Sequence, residues 1–261
     1  VPLRKMTPEP RQGMRSPSGS LRLPYRKHIP MTDILPLHDP LPPEVLARIT
    51  ALPVKPESVT LTGRFVELRP LDVERDAEAL YRISNGEPLT LGERHIEAYD
   101  ADALIWRFML GGPFADLEAM KAYLRGNDGP AALPFTVFDR ALDHPVGVAT
   151  YMNSIPAHLK IELGSIWYSP IAQRTPANTE ATYLMLRHAF DLGYRRVEWK
   201  CNALNERSMR AALRMGFQFE GIQESHFIIK GRNRDTAWYR VLDREWPGVQ
   251  AHLEKLLYSG V

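Results

Sequence analysis

Residues 160–181 read Lys160-Ile-Glu-Leu-Gly-Ser-Ile-Trp-Tyr-Ser-Pro-Ile-Ala-Gln-Arg-Thr-Pro-Ala-Asn-Thr-Glu-Ala181. Ile161 to Tyr168 carries a strand pattern, Gln173 to Asn178 forms a tight polar loop, and an amphipathic helix follows from about Ala177 to Leu192. Ala181, Leu184, Met185, His188, Ala189 and Leu192 share one stripe of that helix, and Gly193 closes it. A helix start leaves backbone N–H groups unpaired and carries partial positive charge. The loop can therefore aim several donors at one anion, the usual way to hold a phosphate or pyrophosphate. With a strand ahead of it to supply edge hydrogen bonds, the junction suits a long phosphorylated cofactor.

Outward from this junction, the pattern is of hairpins followed by alternating strands and helices, which indicates a mixed α+β sheet. Val59 to Leu71 reads as one strand, and Asp72 caps a helix whose Val73, Ala77, Leu80 and Ile83 share a face. Residues 100–126 read as two helical pieces broken at Gly111-Gly112-Pro113. Phe135 to Asp139 and Val146 to Asn153 read as strands joined by a hairpin loop over 140–145. Downstream come a strand from Val197 to Asn202 and a short helix from Glu206 to Met215 closed by Gly216. A last hairpin, Phe217 to Lys230 and Thr236 to Asp243, is expected to turn over Gly231 to Asp235.

The chain has 261 residues, 44% hydrophobic and 25% charged, enough for one substantial core or one domain with an appendage. A formal net charge of +2 argues against nucleic acid as the main partner. A single cysteine forms no internal disulfide, and no run of about 18 apolar residues marks a membrane span, so a cytoplasmic protein is expected. The first 30 or so residues are basic, with Arg4, Lys5, Arg11, Arg15, Arg22, Arg26 and Lys27 against Glu9 alone. Acid-poor starts of this kind include mitochondrial targeting peptides, but frequent prolines oppose the helix such peptides need. Val1 stands where an initiator Met would, and the first residues are expected to be a remnant either of processing or of an expression sequence. Residues 1–58 are expected to form a proline-rich extended arm that docks by Ile34, Leu35, Val45, Leu46 and Ile49, with one or two helical turns over Pro43 to Thr50. Residues 59–246 are then the domain and 247–261 a C-terminal helix.

The order strand, Gln-Arg-Thr-Pro-Ala-Asn-Thr-Glu-Ala, helix, Leu-Gly-Tyr, strand, Asn-x-x-Ser, helix, Gly-Phe-x-x-Glu-Gly, hairpin resembles the GNAT acetyltransferases, over about residues 59–246. Within that superfamily it is similar to the branch containing the ribosomal-protein N-terminal acetyltransferases. The resemblance implies a mixed, mostly antiparallel sheet flanked by helices, whose central strands 161–168 and 197–202 splay to admit acetyl-CoA. It implies direct transfer of an acetyl group to a primary amine, without a metal. The acceptor is expected to be a small-molecule amine, with a protein N-terminus as the alternative, and the protein a monomer or homodimer. A non-catalytic module that only binds acetyl-CoA is a further alternative.

Residue by residue, the resemblance places Gln173, Arg174, Thr175, Ala177, Asn178 and Thr179 at the pyrophosphate. Pro176 and Asn178 replace small residues of the family pattern, and Pro176 offers no N–H. The backbone of Ile166, Trp167 and Tyr168 is expected to pair with the pantetheine amides. Glu162 stands where relatives place a general base, although a carboxylate there also suits an ion pair in the sheet. Many relatives use a Tyr to protonate the leaving thiolate; here Ala212 occupies that position. Ser208 matches a serine with the same proposed role, or else caps its helix. Asn205 contacts the pantetheine or bridges the strands. Cys201 reads as a core thiol rather than a nucleophile. His226 and Glu224 are candidate bases on a hairpin that borders the acceptor pocket in relatives, with surface placement favoured for both. Tyr99, Trp106, Phe108 and Phe114 are core or acceptor wall. Arg232 and Arg234 suit an acidic acceptor or the CoA 3′-phosphate, with a solvated turn as the default.

Overall fold

The computed structural model describes residues 37–259, and those from Leu41 onward belong to one compact unit. The basic start before residue 37 lies outside the described residues. Helix α1 (Pro43–Ala51) begins on its proline, packs Val45 and Ile49 against the core, and is followed by buried Leu52. This stretch thus joins the domain through Val45, Ile49 and Leu52, whereas Leu46, expected to dock with them, is exposed, and Ile34 and Leu35 lie outside the described residues.

The segment expected to be one strand over Val59 to Leu71 folds into a hairpin, β1 (Leu61–Thr62) and β2 (Val66–Pro70). Its turn is organised by a distant side chain: the carboxylate of Glu180 accepts the N–H groups of Arg64, Phe65 and Val66. Helix α2 (Val73–Arg82) follows, with the Asp72 side chain accepting the N–H groups of Glu74 and Arg75. A small hairpin, β3 (Leu89–Leu91) and β4 (Arg94–Ile96), was not visible in the apolar pattern because it is too short to show periodicity. Within 100–126, the first expected helix is reduced to a single π-type turn at Asp102–Trp106, and α3 (Leu117–Gly126) is the second.

The remaining elements are β5 (Leu133–Asp139), β6 (His144–Ile155), β7 (Lys160–Tyr168), α4 (Ala177–Asp191), β8 (Arg196–Asn202), α5 (Glu206–Arg214), β9 (Gln218–Ile229), β10 (Arg232–Leu242) and α6 (Trp246–Tyr258). They build an eight-stranded sheet in the order β1-β2-β5-β6-β7-β8-β10-β9. Its pairings are antiparallel except β7 with β8, which is parallel. This is the mixed, mostly antiparallel sheet flanked by helices that the motif order implies.

Two departures matter for the site. Helix α4 buries far more than one stripe, because α6 covers its outer side through Trp246, which packs on Tyr183 and Phe190. The last hairpin turns over Lys230 and Gly231 (φ 49° and 71°), pairing Arg232 with Ile229, rather than over 231–235. Two consecutive left-handed residues suit the twist of a two-residue hairpin turn. Arg234 therefore belongs to a strand and is 9% exposed, not a solvated turn residue.

Candidate active site

Strands β7 and β8 pair only from Lys160↔Arg196 to Leu163↔Trp199. Beyond Leu163 they separate, and the cause is local. Ser165 takes a left-handed backbone (φ 46°), and the β6–β7 register shifts between Val148 and Thr150. Such a bulge bends one strand away from its partner. Trp167 and Tyr168 regain pairing with Val148 and Gly147 on the β6 side, so the edge from Gly164 to Tyr168 facing β8 is open to an added extended ligand.

A groove of about 830 Å³ runs from this opening to the start of α4. Its loop side is shaped by a turn at Pro170–Ala172 and by Arg174 in the left-handed region (φ 63°). Thr175 Oγ1 donates to the Ala172 carbonyl (2.7 Å) and accepts the Ala177 N–H (3.3 Å). Among the described residues, the N–H groups of Arg174, Asn178 and Thr179 have no partner, and Asn178 Oδ1 is buried without one. Proline at 176 removes one donor, yet the N–H groups of Arg174 and Asn178 remain free on groove-lining residues at the helix start, where an anion is best held. Gln173, Arg174, Thr175 and Asn178 line the groove, as do Ile166, Trp167 and Tyr168. Ala177 and Thr179 do not. Ala177 faces a small cavity beside Arg64, and buried Thr179 accepts from the Arg214 guanidinium at 3.0 Å.

The opposite wall carries residues that the motif reading did not single out. Arg207, Arg210 and Arg214 line it from α5, with Arg107 nearby. Their spacing of three and four residues sets them on one helix face, and that periodicity was the available signal. Together with Arg174 they make the groove strongly cationic, matched to a phosphorylated ligand.

Where the groove meets the sheet opening, Asn205 caps α5, its Oδ1 accepting the Ser208 N–H at 3.2 Å. Ser208 is thus inside the helix rather than its cap. Its Oγ accepts the Trp199 indole N–H at 3.1 Å. An indole only donates, so the serine hydroxyl hydrogen is left to point elsewhere. Ala212, where relatives have the acidic Tyr, is fully buried.

Past this junction lies a chamber of about 310 Å³ that shares Phe108, Met109, Ile166, Trp199, Asn205 and Ser208 with the groove. Glu162 lines it, 2% exposed, with the Lys200 ammonium at 2.8 Å and the Asn153 amide donating at 2.8 Å. Burial raises its carboxyl above the usual range, against the opposing pull of Lys200 and Asn153. Cys201 also faces the chamber, and burial pushes its thiol up, away from nucleophilic thiolate. Of the aromatics considered, Phe108 reaches the cavities. Trp106 is core, packed between Phe114 and Trp167, and Tyr99 bonds the Ile83 carbonyl. Glu224 and His226 do not line the chamber. Lys230, at the hairpin tip, donates to the Trp106 and Gly112 carbonyls (2.8 and 2.6 Å) and ties the hairpin to the segment that supplies Phe108, Met109 and Leu110 to the chamber. Among the described residues no group of three His, Cys, Asp or Glu is placed to hold a metal.

The fold matches a GCN5-related N-acetyltransferase from Brucella melitensis, with 38% identity, TM-score 0.70, and coverage of 78% of this chain and 87% of that one. A GNAT-family acetyltransferase from Chromobacterium violaceum matches at 32% identity and TM-score 0.66, over 81% and 98% of the two chains. An acetyl transferase from Salmonella typhimurium, described as modifying the N-terminal serine of a 50S ribosomal subunit protein, shares the fold at 19% identity and TM-score 0.57, over 70% and 99%. No match was found among curated proteins. The family model of the acetyltransferase (GNAT) domain matches residues 66–218. The chain belongs to the GNAT acetyltransferase family.

Proposed function

We propose that the chain transfers the acetyl group of acetyl-CoA to a primary amine of a small molecule by direct attack. Acetyl-CoA supplies an activated thioester. The free N–H groups at the start of α4 and the arginines of the groove hold its phosphates, and the open edge of β7 holds its pantetheine arm. The amine nitrogen attacks the thioester carbon, the C–S bond breaks, and the amine proton passes to the Glu162 carboxylate. A carboxylate whose proton affinity is raised by burial is a better base for an ammonium than an exposed one. The free hydroxyl hydrogen of Ser208 stabilises the departing thiolate, while Trp199 fixes the direction of that hydroxyl.

The observation that carries the small-molecule reading is the Lys230 tie, which holds together the 108–110 and 227–229 walls of a chamber of only about 310 Å³. The Salmonella protein's ribosomal substrate keeps the alternative, a protein N-terminus, in view. Incubating the full chain with acetyl-CoA and matched panels of small amines and N-terminal peptides, and following free CoA, decides between them. Tight acetyl-CoA binding with no acceptor-dependent CoA release across both panels would leave only a binding module.

A further inference from the structure

The chamber holds three charged side chains. Glu162 and Lys200 neutralise each other at 2.8 Å. Arg234 is the third; Glu162 attracts it only from beyond contact distance, and it makes no ion pair among the described residues. It is 9% exposed, its Nε is buried without a partner, and no described carboxylate lies within 4.0 Å of it. Its guanidinium rests on the Phe227 ring at 5.5 Å, and Lys200 approaches the same ring at 5.8 Å. An isolated buried guanidinium is costly, and here burial lowers its proton affinity below the usual arginine range. Its planar donors are shaped for a carboxylate. Phe108, Met109, Leu110, Met152 and Ile229 give the chamber an apolar side, and polar Asn153, Ser165, Asn202, Asn205 and Ser208 also belong to its lining.

We infer that Arg234 is a specificity residue, and that the acceptor is an apolar amino acid whose carboxylate binds Arg234 while its amine faces Glu162. This rests on the acetyl-transfer reading above. A polyamine fits poorly, because its second cation would enter beside Lys200 and Arg234. A peptide N-terminus carries a neutral amide, not a carboxylate, on the carbon that bears its amine.

The test uses the full chain with acetyl-CoA and three matched pairs: leucine with isoamylamine, methionine with 3-(methylthio)propylamine, and phenylalanine with phenethylamine. For at least one pair, kcat/KM of the acid should exceed that of its amine by about 30-fold or more, as when a buried charge loses its partner. In Arg234→Gln that ratio should fall toward one, and in Arg234→Lys it should fall only in part. If the Gln variant does not fold, the Lys variant carries the comparison. A native chain with no preference for any acid, or a preference that survives both substitutions, overturns the inference. If only peptide N-termini are acetylated, the inference falls and acetyl transfer stands. If acetyl-CoA binds by calorimetry but no acceptor releases CoA, the acetyl-transfer reading falls, and the inference with it.

Discussion

Glu180 lies on the helix that presents the anion-binding loop, but its carboxylate points away from the groove and is fully buried. Oε1 accepts the Arg64 N–H and the Tyr258 hydroxyl, both at 2.8 Å. Oε2 accepts the N–H groups of Phe65 (2.6 Å) and Val66 (2.7 Å). The approach is so close that a Cβ at Gly63 would sit 2.4 Å from the carboxyl carbon. Glu180→Gln puts an amide NH₂ in place of one oxygen. With the NH₂ at the Oε1 position, the Tyr258 hydroxyl can turn and accept, and only the Arg64 N–H loses its acceptor, at about 1–3 kcal/mol. The two bonds to Oε2 change from charge-assisted to neutral, about 1 kcal/mol each. Removing a buried charge offsets part of this. The net cost is about 3 kcal/mol, which for a domain of this size lowers Tm by about 6–12 °C. Thermal unfolding followed by circular dichroism measures it, and Glu180→Ala, leaving three N–H groups unpaired, should fall further. A Tm within about 2 °C of the native chain for Glu180→Gln would refute the account of what folds the β1–β2 turn.

Glu162→Gln should lower kcat by about 10²–10⁴-fold. Burial raises the Glu162 carboxyl, so lowering pH protonates it earlier than an exposed carboxylate. The native rate should therefore fall on the acid side from above the usual carboxylate range, and a pH profile of the Gln variant should lack that limb. Ser208→Ala should reduce kcat by about 10–100-fold, the worth of one hydrogen bond to a charged group, with little change in acetyl-CoA affinity by calorimetry. Arg174→Ala should weaken acetyl-CoA binding by about tenfold or more, and the loss should shrink at high salt. Lys230→Met should raise KM for a small acceptor several-fold by releasing the hairpin tip, read from steady-state kinetics.

The loop and its flanking elements were legible because they depend on short-range chemistry. A polar loop before an apolar-periodic helix, Asn205 at a helix start, and Gly193 at a helix end each act within a few residues. What stayed hidden depends on contacts between distant residues. Glu180 acts on a turn more than a hundred positions earlier in the chain, which splits the expected first strand in two. The stripe on α4 gave no hint that α6 would cover its other side, where Trp246 packs on Tyr183 and Phe190 from more than fifty positions away. Thr179 looked like a phosphate ligand from its place in the motif. In three dimensions its side chain turns inward and instead positions Arg214, which does face the groove.

The last hairpin shows how a small error in register changes a functional reading. Placing the turn over 231–235 makes Arg234 a loop residue, free to meet solvent. Moving it to Lys230 and Gly231 extends β10 and pairs Arg234 opposite Phe227. Side chains alternate faces along a strand, so the register alone decides which residues enter the chamber. In the observed register Arg234 and Thr236 are buried, whereas Arg232 and Asn233 are exposed. The same turn brings Lys230 to the Trp106 and Gly112 carbonyls. One two-residue turn therefore sets both the tie from the hairpin tip to the 106–112 segment and the burial of Arg234 in the chamber. Inserting a single residue between Lys230 and Gly231 should release the tip contact and shift the strand partners together. If acceptor preference survived such an insertion, register would not be what defines the acceptor site.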